Sequence, residues 1–343
     1  MTDFQHHKSI ARAYMRDFDA CDTSDKTKTL QKHVTSDYHW RGLHPFHEQT
    51  GAEAVIATFW APFTAAFASI ERREEIFFAG LNDCDDQATT WTCSMGHFRA
   101  LFDAPWLGIT PTRKMVMIRY AEFHRIEGDK IAETALFIDI LDLIDQAGLW
   151  PLPPMTAARG IFPGPLTNDG QLFDPQPAAE GEKTLRTIKD MASNISKANE
   201  ILQGKSDAKP LTPQQELQLT WTDDMAWYGP AGIGATFTID RYIEQHQAPF
   251  RVHNENRVFN GHVARFAEGK YGGFFGWPNL TITPTGGYIG LPASNKPSDM
   301  RVVDVYRREG DKLAENWIFI DMLHFLNQQG LDVLARVAQV PRT

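Results

Sequence analysis

Hydrophobic positions in the first seventy residues recur three and four apart. Ile10, Ala13, Tyr14, Asp17 and Phe18 step at helical spacing, and Asp22-Thr-Ser-Asp-Lys breaks that helix. A second short helix runs toward Val34. Gly51 to Phe67 predicts a third, with Val55, Phe59, Trp60, Phe63 and Phe67 on one side. From Ile70 the period changes. The stretches beginning at Glu71, Gln87 and Lys114, and the run from Lys130 to Leu141, are β-branched and aromatic, and turn residues separate them. Gly128-Asp129 is a two-residue hairpin signal. A short helix over Leu143–Gln146 closes at Gly148. Helices followed by a strand meander predict an α+β fold, a curved antiparallel sheet wrapped over helices. The order is not βαβ, and Gly229-Pro-Ala-Gly-Ile-Gly234 lacks the dinucleotide-binding spacing, so it reads as a loop.

The pattern is written twice. Arg125–Gly148 and Arg307–Gly330 align at a constant offset of 182, with thirteen of 24 positions identical. Leu107-Gly-Ile-Thr-Pro-Thr matches Leu280-Thr-Ile-Thr-Pro-Thr, and Thr35–Gly42 matches Thr222–Gly229 more weakly. Such periodicity reports a repeated structural unit. The second copy resumes helices near Glu182 and from Pro213 to Trp221. It carries about nine extra residues between Gly286 and Ser298, expected as a longer loop. The expected organisation is a domain over 1–150, a Pro/Gly-rich arm over 151–181 and a second domain over 182–343. Leu149, Trp150, Met155, Ile161 and Phe162 favour an arm laid over a surface. The strand from Ile131 is apolar on both faces. We expect helices to cover one face and the other copy's sheet to cover the second, making an internal pseudo-dimer. Further oligomerisation stays open.

Composition narrows the function. A net charge of −9 and no basic stripe argue against nucleic acid. No apolar run approaches the ~20 residues that span a bilayer. The N-terminus lacks a signal peptide's apolar core. Cys21, Cys84 and Cys93 show no pairing pattern, so reduced thiols in a cytoplasm are expected.

Asp139 and Asp321 are the anomalous residues, each a carboxylate amid Phe, Ile and Leu. Burial would raise such a carboxyl toward neutrality and suit it to proton transfer. The other reading is an N-cap for the following short helix. His97 could polarise a carbonyl or exchange a proton, or be a half-exposed strand histidine; its counterpart in the second copy reads as Lys270. Arg119 and Arg301 match across the copies, as do Glu122 and Asp304. Either arginine could clamp a carboxylate, or pair with Glu133 or Glu315. His39, Trp40 and His44 are candidates for a pocket mouth in the first copy. Trp227, Tyr228 and Trp317 take that place in the second. His44 and His47 alone do not make a metal site, so no metal is expected.

Leu107-Gly-Ile-Thr-Pro-Thr-Arg-Lys, the strand ending in Phe123–Glu133, Phe137-Ile-Asp139 and the final helix together resemble the SnoaL-like polyketide (ester) cyclases. These belong to the nuclear transport factor two-like superfamily. The second copy carries Gly310–Glu315 and Phe319-Ile-Asp321 at the matching places. The resemblance implies two tandem cone-shaped domains with internal pockets. It implies Asp139 and Asp321 as general acid/base groups acting, without cofactor, on a hydrophobic carbonyl substrate by aldol cyclisation, isomerisation or dehydration. The superfamily also holds binding-only members, so the alternative is a ligand-binding or scaffold protein with one or both pockets degenerate.

Overall fold

In the computed structural model, residues 3–202 and 204–340 are described. The first repeat opens with α1 (Gln5–Ala20), which buries Ile10, Ala11, Tyr14, Met15 and Phe18 on one stripe. Then follow α2 (Lys26–His33), β1 (Val34–Gly42) and β2 (Glu48–Thr50). The third predicted helix is α3 (Ala52–Val55), a π segment (Ile56–Trp60) and α4 (Ala61–Ala66). It leads into β3 (Phe67–Leu81), β4 (Thr90–Phe102), β5 (Met115–Glu127), β6 (Lys130–Ile138) and α5 (Ile140–Gln146). The six strands lie in the order β2-β1-β6-β5-β4-β3. The predicted antiparallel meander is present, with one exception: β1 runs parallel to β6. Thr35–Gly42 gives only a weak strand signal: Tyr38, Trp40 and Gly42 alternate inward, but Ser36, Asp37 and Gly42 dilute it. Phe18, Phe59, Trp60, Phe63 and Phe98 fill the space between helices and sheet with edge-to-face contacts and one stacked pair. Each such burial is worth about 1.5–3 kcal/mol.

The second repeat has α6 (Ala178–Leu202), α7 (Pro213–Gln218), β7 (Trp221–Tyr228), β8 (Ala235–Phe237), α8 (Ile239–Tyr242), a π segment (Ile243–Gln247) and α9 (Ala248–His253). Strands β9 (Asn254–Phe259), β10 (Ala264–Glu268), β11 (Tyr271–Pro284), β12 (Ser298–Glu309) and β13 (Lys312–Ile320) follow. Helices α10 (Met322–Gln328) and α11 (Val333–Val337) come last. The sheet order is β10-β11-β12-β13-β7-β8, with β9 on β11, and β7 runs parallel to β13. Both long hairpins turn at a two-residue Gly-Asp loop, with Gly128 at φ +56° and Gly310 at +58°. The α+β fold and its tandem duplication therefore stand as read.

Two details of the alignment do not. Leu280–Pro284 lies inside β11, paired with β12, whereas Leu107–Thr112 lies in the loop between β4 and β5. The two similar hexapeptides are not equivalent in space. The loop over 285–297 is only one residue longer than its counterpart over 103–114, so the expected nine-residue insertion there is absent. The helix read from Pro213 to Trp221 ends at Gln218, and Trp221 opens β7.

The chain packs as two compact units. One comprises Leu152–Pro163 with Gln176–Ile318; the other comprises residues 3–151, Gly164–Pro175 and residues 319–340. The Pro-rich segment is ordered in each. Ala158 bridges to Ala235 in the first, and Gln171 to Phe77 in the second.

The β3–β4 pair tests packing directly. A Cβ on Gly96 would stand 2.0 Å from the Arg73 carbonyl oxygen, and backbone cannot yield as a flexible side chain can. Gly96→Ala is expected to cost about 1–3 kcal/mol in urea denaturation, and a neutral result would mean that the strand pair relaxes.

Candidate functional site

Asp139 ends β6 and caps α5. Its Oδ1 accepts from the Asp142 amide at 3.1 Å, and Oδ2 accepts from Arg119 at 3.2 Å. Arg119, on β5, is 1 % exposed and lies 4.4 Å above the Phe319 ring. Burial pulls its guanidinium below the ordinary arginine value, while Asp139 and Asp142 oppose that. Burial and the neighbouring Asp139 charge push the Asp142 carboxyl well above the usual carboxylate range. Asp321 caps α10, accepting from the His324 amide at 3.1 Å, and accepts from the His44 amide at 2.9 Å. Both carboxylates are buried, and both make the N-cap. The void beside them, lined by Leu43, Ile138–Leu141 and Ile320–Leu323, measures about 10 Å³. That holds about one water, against the roughly 300–1,000 Å³ of ligand pockets.

The other expected site residues do not converge there. His97, on β4 opposite Arg119, pairs through Nδ1 with Glu75 at 3.1 Å. Its counterpart is not Lys270, which sits in the turn before β11. Arg301, the match of Arg119, faces the β11 bulge and stacks over Trp277 at 4.1 Å. Neither arginine pairs with the expected glutamate. Glu133 lies opposite Arg125 in the β5–β6 register and accepts from Arg41 at 2.7 Å. Glu315 accepts from Arg307, with the Tyr228 hydroxyl at 3.5 Å. His39 bonds Glu48 at 2.9 Å on the same surface as Glu133. Trp40 is core, against Phe59. His44 contributes a backbone amide, and its ring meets His47. Trp227 stacks on His246 at 4.1 Å. Trp317 stacks on Tyr228 and donates to the Pro163 carbonyl at 2.8 Å. Among the described residues no group of three His, Cys, Asp or Glu could hold a metal. No described helix is long and apolar enough to cross a membrane.

Space of ligand size lies away from the aspartates: an open recess of about 470 Å³ borders α1, Arg72 and Phe173, and a larger one lies within the second repeat. A cavity of about 1,040 Å³ opens between the C-terminal half of α6, the segment after it, α7, α9 and β9. Its origin is visible by comparing the repeats. In the first, the π segment ends at Trp60, Ala61-Pro-Phe63 opens α4, and Phe67 starts β3. In the second, the π segment ends at Gln247, Ala248-Pro-Phe250 opens α9, and Asn254 starts β9. Two large aromatic side chains have become amides. Gln247 and Asn254 both line the cavity, both are buried, and each amide oxygen lacks a hydrogen-bond partner. Thr64 of α4 has likewise become Arg251, which forms a two-point pair with Glu216 of α7 at 2.8 and 2.6 Å. The Ala-Pro-Phe triplets stand at the same spacing as Trp40 and Trp227, which is the sequence signal that would have located this site.

Comparison with solved structures returns single-repeat matches. A SnoaL-like protein from Jannaschia sp. CCS1 is 18% identical, covers 41% of this chain and 90% of its own, and has a TM-score of 0.33. An NTF2-like protein from Burkholderia thailandensis E264 is 15% identical, with 41% and 95% covered and a TM-score of 0.31. One from Burkholderia xenovorans LB400 is 13% identical, with 43% and 97% covered and a TM-score of 0.31. Comparison with curated proteins finds no match. The profile of the SnoaL-like polyketide cyclase family matches residues 12–147 and 279–329, more than half of the chain and part of each repeat. The chain therefore belongs to the SnoaL-like polyketide cyclase family.

Proposed function

We propose that the chain is a small-molecule-binding member of this family whose ligand sits in the second repeat, while Asp139 and Asp321 are helix-capping, structural residues. One contrast carries this reading: a void of about 10 Å³ beside the two aspartates against about 1,040 Å³ beside α9. An organic substrate needs the larger space. The first repeat supports the fold through its aromatic interior. Its Lys26 ammonium donates to the Phe18 carbonyl and lies over the Phe18 ring, tying α2 to α1.

The test uses a neutral apolar fluorophore, N-phenyl-1-naphthylamine, with the full chain. Ala248→Trp and Ala198→Trp place an indole in the cavity and are expected to weaken binding at least tenfold. Asp139→Asn and Asp321→Asn are expected to bind as the parent does; Asp321→Asn should lose about 0.5–2 kcal/mol of stability from its weakened cap, and Asp139→Asn about 3–5 kcal/mol, because it also removes the charge that faces buried Arg119. Binding that survives both tryptophans and disappears in the aspartate variants would reverse the assignment.

A second reading keeps the family's cofactor-free proton transfer at Asp139, with His97 assisting, and at Asp321. The raised Asp142 carboxyl beside the buried Asp139 favours it, since a buried acid that stays protonated toward neutral pH can hand its proton on. Deuterium exchange at the α-carbon of an apolar β-diketone measures it. Exchange unchanged in both asparagine variants would remove this reading.

A further inference from the structure

We propose that the second-repeat cavity takes an amphipathic anion: a long or polycyclic apolar body ending in a carboxylate or similar monoanionic group. This deepens the ligand-binding reading above and rests on it. Two features of the cavity point to that class, and a third shows that its lining is incomplete by itself.

The first is exposed apolar surface. Leu202, Leu211, Leu219, Val252 and Val258 line the cavity, and each is more than half exposed. They come from α6, α9 and β9, from the segment between α6 and α7 and from the end of α7, and together line one cavity. Scattered surface leucines need no explanation, but a contiguous apolar concavity marks a binding site. The second is charge. Lys197, Lys205, Lys209, Arg251 and Arg257 line the same cavity, against Glu216 and Glu255. In a chain of net charge −9 this is a local inversion of sign. Arg251 is matched by Glu216, which leaves four cations and one carboxylate around the opening. Burial and Arg251 pull the Arg257 guanidinium below its ordinary value, so an added anion would relieve that repulsion. The third is the pair of unpartnered, buried amide oxygens of Gln247 and Asn254. An unsatisfied buried acceptor is costly unless a donor reaches it, and neither an apolar tail nor a carboxylate can donate, so these oxygens call for a bridging water or a hydroxyl in the space and are silent on the ligand's charge.

The occupant is a small molecule and not a second copy of this chain or a peptide, by the volume of the feature. Two buried amides line a space of about 1,040 Å³, a volume that an entering small molecule fills and a docked flat face leaves empty.

The test is calorimetry on the full chain with three probes of one tail length, below their aggregation thresholds: dodecanoate, dodecanol and dodecyltrimethylammonium. Dodecanoate is expected to bind one per chain, at least tenfold more tightly than dodecanol, with the cation weakest. Lys197, Lys205 and Lys209 are exposed, so the triple Lys→Gln variant leaves folding intact. It is expected to bring acid and alcohol within about threefold of each other. Leu219→Ser with Val252→Ser, also at exposed positions, is expected to weaken both probes about tenfold or more. Equal affinity of the parent for all three probes would overturn the anion while leaving a ligand cavity. No binding of any probe would overturn both readings. A concentration-dependent dimer that Leu219→Ser and Val252→Ser dissociate would show instead that the wall is a self-interface, and would overturn the proposal.

Discussion

Arg119→Met is expected to lower the stability of the first repeat by about 3–5 kcal/mol in urea denaturation. Arg119 and Asp139 are almost wholly buried and 3.2 Å apart. Removing one partner of such a pair leaves the other charge in a low-dielectric site, which costs far more than the pair itself contributes. The substitution also removes the cation that lies over the Phe319 ring. Because Asp139 still has to cap α5, protonating it does not restore the parent state. The double variant Arg119→Met/Asp139→Asn should recover much of the loss, since it removes the orphaned charge and retains a side-chain oxygen at the cap. A loss below about 1 kcal/mol for Arg119→Met would show that water reaches Asp139. The void there would then be larger in solution than the 10 Å³ described, and the catalytic reading of Asp139 would regain its ground.

Asp304→Asn is expected to act in the opposite direction, and only above mid-range pH. Asp304 occupies the place of Glu122, yet the two carboxylates live differently. Glu122 accepts from Arg72 at 2.7 Å in the first core. Asp304 has neutral partners, the Asn316 amide at 3.1 Å and the Tyr306 hydroxyl, and burial pushes its carboxyl up to about 7. Its folded pKa thus stands above the unfolded value near 4. The stabilising preference for the protonated form is fully present below about pH 4 and is lost as pH rises to about 7. Above that, the folded chain holds a buried, unpaired carboxylate. The distance between those two values corresponds to roughly 4 kcal/mol. Asp304→Asn should therefore match the parent near pH 4 and exceed it by a few kcal/mol at pH 8, read as the midpoint of chemical denaturation at each pH. Identical profiles for parent and variant would mean that Asp304 is ionised and paired in solution. The Asp142 carboxyl is raised by the same physics, so a shallower slope of the same sign should remain in the variant.

Much of this protein is readable in one dimension. Periodicity over Ile10–Phe18 and Val55–Phe67 locates the helices, and alternation after Ile70 locates the strands, because each pattern follows from a local backbone geometry that needs no partner. The internal identity between Arg125–Gly148 and Arg307–Gly330 establishes the duplication without any structure. The capping role of Asp139 and Asp321 is one of two readings the sequence offers, since an Asp before a short helix is favoured there for local reasons. Non-local facts are not readable. Pairing of β1 with β6 brings together segments nearly a hundred residues apart, and no local signal in Thr35–Gly42 announces it. The Leu280 hexapeptide resembles that of Leu107 and yet joins a strand, because β12 and β9 are available beside it.

The candidate site divides along the same line. Sequence by itself determined the fold class, the tandem repeat, the family and the presence of one acidic side chain at the end of each last strand. Only the tertiary structure decided that Arg119 belongs to Asp139, that Glu133 belongs to Arg41, and that the space at those aspartates is closed. It alone showed that exchanging Trp60 and Phe67 for Gln247 and Asn254 opens a cavity in one repeat and not at the aspartates of either. The physical reason is that a cavity is a difference between volumes contributed by distant segments. Residue types report what each position can do, while the empty space between them exists only once the chain has packed.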